Sequence, residues 1–322
     1  MDIAYRPEHE PYFGQNPLIE KVKGEINIAV AANCEVLLLG ETGTGKGTLA
    51  RWIHDRGSRR ERAFVDVNCS GLKGELLKSE LFGHVKGSFT GAIGDRPGYL
   101  EEANGGTLFM DEIGDTEIET QGLLLKAIEE RAYRRIGENR QRLSDFRLIC
   151  ATNRDLSEAV SLGAFRPDLF YRVNMLSITL PPLRERKSDI VGLLNYFLSA
   201  KGYSRFPLSN DLINALTRYP WPGNIRELRN TLERALLLAR REALTIEHFP
   251  NLNRPLCPLP SEPVKEAESL TEPEAILSLA AAEKRYIQCA LEHLGGDKNK
   301  TSLALEISLS TLYRKLKKIQ FT

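Results

Sequence analysis

Two short runs in the first half of the chain hold residue types suited to handling phosphate. Gly40-Glu41-Thr42-Gly43-Thr44-Gly45-Lys46 follows an apolar run, Val36 to Leu39, and leads into a helix-forming one, Leu49 to His54. Glycines at that spacing let backbone N–H groups wrap phosphate oxygens, the helix start adds positive potential, and the lysine neutralises the outer phosphates. Gly47 and Thr48 extend the set of expected nucleotide-binding positions. Farther on, Gly105 to Glu112 reads as a glycine turn, a buried strand and two adjacent acids. Asp111 at a strand end can hold Mg2+, through water, and Glu112 can polarise an attacking water. Taken singly, a glycine turn can start an ordinary helix and an acid pair can cap one. Together and in this order they point to a nucleoside triphosphate site with ATP and Mg2+ as cofactors.

One position departs from that pattern. The generic loop places Ser or Thr after the lysine as a magnesium ligand, and here the residue is Gly47. Thr48 is no direct substitute, because one step along a helix turns the side chain by about 100°. The expectation is a weakened grip on Mg2+ with nucleotide binding intact.

These residues need elements to present them. Apolar runs at Val36–Leu39, Phe64–Val67, Thr107–Met110, Leu148–Ala151 and Leu176–Leu180 alternate with helical patterns such as Ile118, Leu124, Leu125 and Ile128. Strand alternating with helix predicts an α/β fold with a mostly parallel sheet covered on both faces. From Leu183 to about Phe249 the pattern is helical only, broken at Tyr219-Pro220-Trp221-Pro222-Gly223. Prolines at 250, 255, 258, 260, 263 and 273 then mark a linker, stiff and without a core of its own. An amphipathic helix over 275–294 and two shorter ones over 299–319 follow.

Composition fits a soluble globular chain: 322 residues, 42% hydrophobic, 27% charged, net charge +1. That balance excludes a uniformly basic coat but not a local basic module. Five scattered cysteines with no CxxC pair read as buried free thiols in a reducing compartment rather than disulfides or metal ligands. The five histidines lack ligand spacing, so no metal cluster is assigned. The start lacks an apolar signal core and no run approaches the roughly 20 residues of a membrane span, so a cytoplasmic protein without a membrane partner is expected.

A basic module stands at the end. From Lys298 to Lys318, six positive residues face Glu306 alone. In 308–318, Leu309, Leu312 and Leu316 share one side, while Ser308, Ser310, Thr311, Tyr313, Arg314, Lys315, Lys317 and Lys318 are the candidate DNA contacts. A recognition helix has this pattern, apolar residues locking it to its module and the opposite face meeting phosphates and base edges. A basic amphipathic helix on its own would more simply be a solvated face.

Between the phosphate loop and the acid pair lies Gly87-Ser88-Phe89-Thr90-Gly91-Ala92, a poor core segment because it buries little and costs much backbone entropy to order. The run resembles the GAFTGA loop of sigma-54-dependent transcription activators, matching five of six positions with Ser88 where the family has Ala. Ser79-Glu80-Leu81-Phe82-Gly83-His84 ahead of it is similar too. The resemblance covers about 13–250, and the end of the chain resembles a Fis-type helix-turn-helix, with Glu306 where the family usually has Gly. At position 47 the family usually has an acid, so Gly47 departs from that pattern as well.

The resemblance implies an AAA+ ATPase over 13–182 with a helical lid over 183–250. A tail over 1–12, a linker over 251–275 and the DNA-binding domain over 276–322 complete the organisation. It implies that Asn68 restrains Glu112, that Thr152-Asn153 is the first sensor, and that Arg226 contacts phosphate within its own subunit. Arg166 and Arg172, six apart, become fingers inserted by a neighbouring subunit; Arg172 could instead be a solvated helix charge. Phe89 and Thr90 sit at a loop tip touching sigma-54, and Ser88 adds one hydroxyl at that exposed tip. A second loop falls near 133–145, where Arg134, Arg135, Arg140 and Arg142 also fit a solvated face.

The expected function is a sigma-54-dependent activator that hydrolyses ATP to remodel the sigma-54 RNA polymerase closed complex while bound to upstream enhancer DNA. It acts as a homo-oligomer, a hexamer when active. With the ATPase starting near Phe13, regulation by a protein in trans is expected. The runner-up is a DNA-binding regulator of the same ancestry that has lost remodelling. A general AAA+ unfoldase leaves the hexapeptide and DNA module unexplained.

Overall fold

Short apolar runs bounded by glycines and acids favour buried parallel strands, and among the described residues seven strands form. They are β1 (Val36–Leu39), β2 (Phe64–Asn68), β3 (Thr107–Asp111), β4 (Ala132–Tyr133), β5 (Arg142–Leu143), β6 (Arg147–Thr152) and β7 (Leu176–Thr179). The computed structural model describes residues 11–72, 74–203, 208–239, 243–253, 287, 298–305, 307–312 and 315. Five strands make one parallel sheet in the order β2-β3-β6-β1-β7, and β4 pairs antiparallel with β5. Register matches Asn68 to Asp111 and Leu39 to Thr152. The carboxyl ends of β2, β3, β6 and β1 therefore share one edge, where ligands of open α/β sheets bind.

Side chains alternate across the sheet with a period of two. Val36, Leu38, Phe109, Ile149 and Ile178 pack on α1 (Pro17–Ala31) and α2 (Lys46–Arg56). Leu37, Val67, Leu108, Met110, Leu148 and Cys150 face the other way. There they meet α3 (Glu75–Phe82), α4 (Tyr99–Glu102), α5 (Ile118–Glu130), α6 (Leu156–Ser161) and α7 (Pro167–Val173). Local chemistry sets the helix ends: Asn16 caps α1 by accepting from Leu18 N–H, with Pro17 at the first helical position. Burial pushes the Cys69 thiol up to about 12 and Cys150 well above its ordinary value, so these two free cysteines are structural.

The helices α8 (Ile190–Ala200), α9 (Asn210–Arg218) and α10 (Asn224–Leu238) enclose a second core around Trp221, Leu232 and Phe249. Between α9 and α10 the chain turns through two non-glycine residues of positive φ, Trp221 at 52° and Asn224 at 53°. Trp221 is anchored by donating Nε1–H to Leu216 O at 2.8 Å. Asn224, fully buried, accepts from Leu183 N–H at 2.8 Å and donates to Glu41 Oε2 and Thr42 O, both at 3.1 Å. This carboxamide joins the helical layer to the loop after β1.

Contacts divide the chain at Pro255–Leu256 into two units. In the second, a helix runs over Lys298–Ala304 and residues 309–312 are helical. Ser308 Oγ accepts from Thr311 N–H at 3.2 Å, as a helix cap does, and Leu312 is fully buried while Leu309 is 38% exposed. Most of the expected linker and of the 275–294 helix lie outside the described residues, as do Tyr313, Arg314, Lys317 and Lys318. Among the described residues no helix is long and apolar enough to cross a membrane.

Asn224 combines a strained backbone with buried hydrogen bonds, and two substitutions separate these contributions. Asn224→Gly relieves φ but loses the carboxamide, and is expected to destabilise the first unit by about 2 kcal/mol. Asn224→Ala keeps the strain as well and should cost about 1 kcal/mol more, read as a lower denaturation midpoint.

Candidate nucleotide site and contact loop

The loop Gly40–Gly45 is shaped by backbone chemistry. Gly43 has φ 82°, and a Cβ there would lie 2.3 Å from Gly223 O, so the loop is pressed against the start of α10. Gly45 caps α2 at φ 104° without a side chain, leaving the first amides of α2 open toward a ligand. Lys46, 5% exposed, donates from Nζ to Gly40 O at 2.7 Å and Glu41 O at 3.3 Å. Burial draws its ammonium below the ordinary value, while Glu112 and Asp111 oppose that shift. A buried cation balanced only by carbonyls and carboxylates fits an anionic ligand at this position, and a triphosphate meets that need. Thr44 Oγ1 is turned inward to Glu41 O at 2.8 Å.

The acids arrive from β3. Glu112 takes φ 54°, ψ 50°, a conformation that costs about 1 kcal/mol for a non-glycine residue. That turn brings Oε1 to 3.8 Å from Lys46 Nζ and lets Oε2 accept from Asn153 N–H at 3.1 Å. Asn153 Nδ2 reaches Thr42 Oγ1 at 3.2 Å, linking the ends of β6 and β1. Asp111 stands beside Glu112 at the end of β3, where it fits Mg2+. Gly47 and Thr48 are both exposed near the start of α2, and Gly47 brings no hydroxyl.

Two expected roles change. Asn68 does not restrain Glu112 in this structure: its Oδ1 accepts from Ser70 N–H and Oγ–H at 3.0 and 2.7 Å, and Glu112 pairs with Asn153 and Lys46. An Asx turn just after β2 turns the carboxamide oxygen to Ser70. Thr152 is fully buried with its hydroxyl accepting from Arg154 N–H, so Asn153 alone of that pair faces the loop.

The arginines are spread over the first unit. Arg226 N–H donates to Gly43 O at 3.2 Å, and its exposed side chain acts electrostatically on Lys46. Arg166 bonds Asp168, two residues on, through Nε and Nη2 at 3.0 and 2.7 Å. Arg172 is not simply a solvated charge, since Nη2 bonds Glu35 at 2.9 Å. Arg184, unread in the sequence, forms a two-nitrogen pair with Glu41 at 2.6 and 2.8 Å, and this bond draws the Glu41 carboxyl below its ordinary range. A lone basic residue in a short 3-10 turn gives no pattern by which to find such a contact.

The hexapeptide loop rises from a braced base. His84 and Arg96 exchange N–H···O bonds at 3.0 and 2.9 Å, and Val85 N–H reaches Ile136 O at 3.1 Å. Within the loop Gly87 N–H donates to Ala92 O, and Ala92 N–H to Phe89 O. Thr90 and Gly91 are exposed, but Phe89 is half-buried with its ring 5.0 Å from that of His84. Ser88 is likewise no exposed tip: its hydroxyl is buried without a hydrogen-bond partner. In the second loop Arg135 pairs with Glu101 at 2.7 Å and Arg142 with Glu138 at 2.9 Å, so these two are not a free solvated face.

Residues 12–179 match the family described as the sigma-54 interaction domain, 184–255 the AAA+ ATPase lid domain, and 278–318 the Fis family of bacterial regulatory proteins. The chain belongs to the sigma-54-dependent activator family. A Geobacillus stearothermophilus protein named limonene hydroxylase is 45% identical over 98% of this chain and 58% of its own length. The transcriptional regulatory protein ZraR of Klebsiella oxytoca is 43% identical over 94% of this chain and 68% of its own. The chain thus spans 58% and 68% of these two relatives. The crystal structure of NtrX from Brucella abortus in complex with ATP superposes with a TM-score of 0.68 at 28% identity, covering 97% of this chain and 70% of that one.

For this member of the sigma-54 activator family, loop sterics separate two glycines. Gly43→Ala should abolish nucleotide binding and lower stability, because the Cβ meets backbone. At Gly47 a Cβ meets only Phe109 Cε1 at 3.7 Å, so Gly47→Ala should raise stability by about 0.5 kcal/mol with ATP affinity retained. Thermal denaturation and equilibrium nucleotide titration check both.

Proposed function

We propose that this chain hydrolyses ATP and uses the reaction to move the Gly87–Ala92 loop against sigma-54 RNA polymerase while its C-terminal module holds upstream DNA. The observation that carries the reading is continuity: the loop lies between α3 and α4, one short helix ahead of the strand that ends at Asp111 with Glu112 next. Family membership and the ATP-bound NtrX relative support it.

In this reading Lys46, the amides of Gly43–Thr48 and Arg226 bind the phosphates, and Asp111 holds Mg2+ through water. Mg2+ supplies charge neutralisation on the phosphoryl oxygens. Glu112 holds and polarises the attacking water, oriented by Asn153, with Thr152 bracing the strand end behind it. Positioning and charge stabilisation supply most of the rate in phosphoryl transfer, so the chain needs few groups held in place. Arg166 and Arg172 serve a neighbouring copy, which makes the active form a ring, a hexamer. Permanently charged, fork-shaped guanidinium suits charge spreading over a transferring phosphoryl group. Ser308, Ser310, Thr311 and Lys315, with Tyr313, Arg314, Lys317 and Lys318, meet DNA. The hydroxylase name of one relative is not carried over, because the residues at this site are those of phosphoryl transfer.

Gly47 favours a second reading, a DNA-binding regulator that has lost remodelling. ATPase activity that rises with protein concentration supports the first and counts against the second. Thr90→Ala is expected to keep ATP hydrolysis near the wild-type rate and to lose sigma-54-dependent open-complex formation with purified components. Transcription retained by this variant would contradict the loop's role.

A further inference from the structure

Glu35 immediately precedes β1, and only 8% of its side chain is exposed. Oε1 receives Arg172 Nη2 at 2.9 Å and lies 3.8 Å from Arg131 Nη2. The same carboxylate acts on Arg147, whose own donors go to Ala29 O and Cys34 O. A buried carboxylate demands such pairing, since leaving it alone would be costly. The arginine it holds is only partly committed. Arg172 keeps 32% of its side chain exposed, and its buried Nε–H has no hydrogen-bond partner. A guanidinium gripped through one nitrogen retains donors for a second acceptor.

Place decides what that acceptor can be. Val36 pairs with Leu176, so the start of β1 and the chain leaving α7 meet at the amino end of the sheet. The phosphate loop leaves the carboxyl end of β1, about 13 Å away along the strand. Arg172 is therefore held at the opposite end from its own nucleotide site. Arg166, by contrast, pairs only with Asp168, and both partners are over a third exposed.

We propose that Glu35 is a positioning residue: it aims the Arg172 guanidinium, at a fixed height on the sheet edge, into the nucleotide site of an adjoining copy of this chain. The inference rests on the ring reading above and adds a residue to it. Glu35 touches no nucleotide in either subunit. Its effect passes through Arg172, so a defect at Glu35 belongs to the neighbour's site and not to the phosphate loop that follows it in sequence.

Subunit mixing with the full-length chain tests this. Glu35→Ala should lower kcat for ATP about tenfold while leaving KM within about threefold, the pattern of a misplaced transition-state group. Glu35→Gln, which keeps a hydrogen-bond acceptor and guards against a folding defect, should retain much more activity. Mixing Glu35→Ala with Lys46→Ala, whose own site is dead but whose arginine is intact, should give more ATPase than the two parents summed. The same mixture made with Arg172→Ala is the control for the ring. Restoration with Arg172→Ala but none with Glu35→Ala overturns the proposal, because Glu35 then acts on its own loop. No restoration with Arg172→Ala overturns the trans-arginine reading instead. A Glu35→Ala chain unfolded by circular dichroism, with Glu35→Gln fully active, makes Glu35 structural and also overturns the proposal.

Discussion

A single buried carboxamide joins the helical layer to the phosphate loop. Asn224 satisfies its oxygen with Leu183 N–H and its nitrogen with Glu41 Oε2 and Thr42 O, and nothing in its surroundings could replace those partners with water. Because Gly223 O occupies the space a Cβ on Gly43 would need, the loop and the start of α10 fit only as a pair. Arg226 inherits its place from this contact, its N–H already bonded to Gly43 O. A displacement of the loop that kept these bonds would carry the lid helix with it, and one that broke them would strand buried polar groups at a cost of about 1–3 kcal/mol each. Nucleotide contacts and lid orientation are thus coupled by hydrogen bonding.

The acidic side of the site is arranged by backbone strain. Glu112 accepts a left-handed conformation and gains by it a carboxylate between Lys46 and Asn153. Lys46 meanwhile spends its donors on the carbonyls of Gly40 and Glu41, partners that phosphate oxygens would outcompete for an ammonium held in a dry site. Exchange of those partners changes what Glu112 faces. Glu112 lies on the same stretch of chain as α4 and the braced base of the hexapeptide loop, where Glu101 holds Arg135 of the second loop.

Period and punctuation made most of the sheet readable. Each expected strand is present within a residue or two, because apolar runs ended by Gly, Asn, Asp or Thr specify both burial and stop. The glycine loop and the acid pair followed from order along the chain, since strand ends at one sheet edge must converge, whereas the Thr152-Asn153 reading came from the family resemblance. Side-chain allegiance was not readable. Asn68 turned to its own Ser70, Thr152 turned inward, and Arg172 found Glu35, which stands 137 residues away. Those outcomes depend on which neighbour a fold delivers within about 3 Å, a distance that spacing along a chain does not encode. The left-handed turn at Trp221 and Asn224 was half visible, as Pro and Gly marked a break without saying that Asn would be its hydrogen-bonding centre.

The two departures from the family pattern differ physically. Gly47 sits at the exposed start of α2, where an added Cβ would make only ordinary contact with Phe109 Cε1, so nothing in the packing requires glycine there. In the proposed reaction its effect falls on chemistry, since Asp111 would hold Mg2+ without the hydroxyl ligand that a Ser or Thr at that position would supply. Ser88 has the reverse character. A Cβ on Gly137 would lie 2.6 Å from Ser88 Cβ, so the hexapeptide loop and the second loop touch at that point with no room to spare. The Ser88 hydroxyl is buried in that contact without a partner, which costs on the order of 1 kcal/mol that a methyl group would not. Beside it Phe89 packs edge-on against His84, ring centroids 5.0 Å apart, so an uncompensated polar contact and an aromatic one adjoin in the same loop.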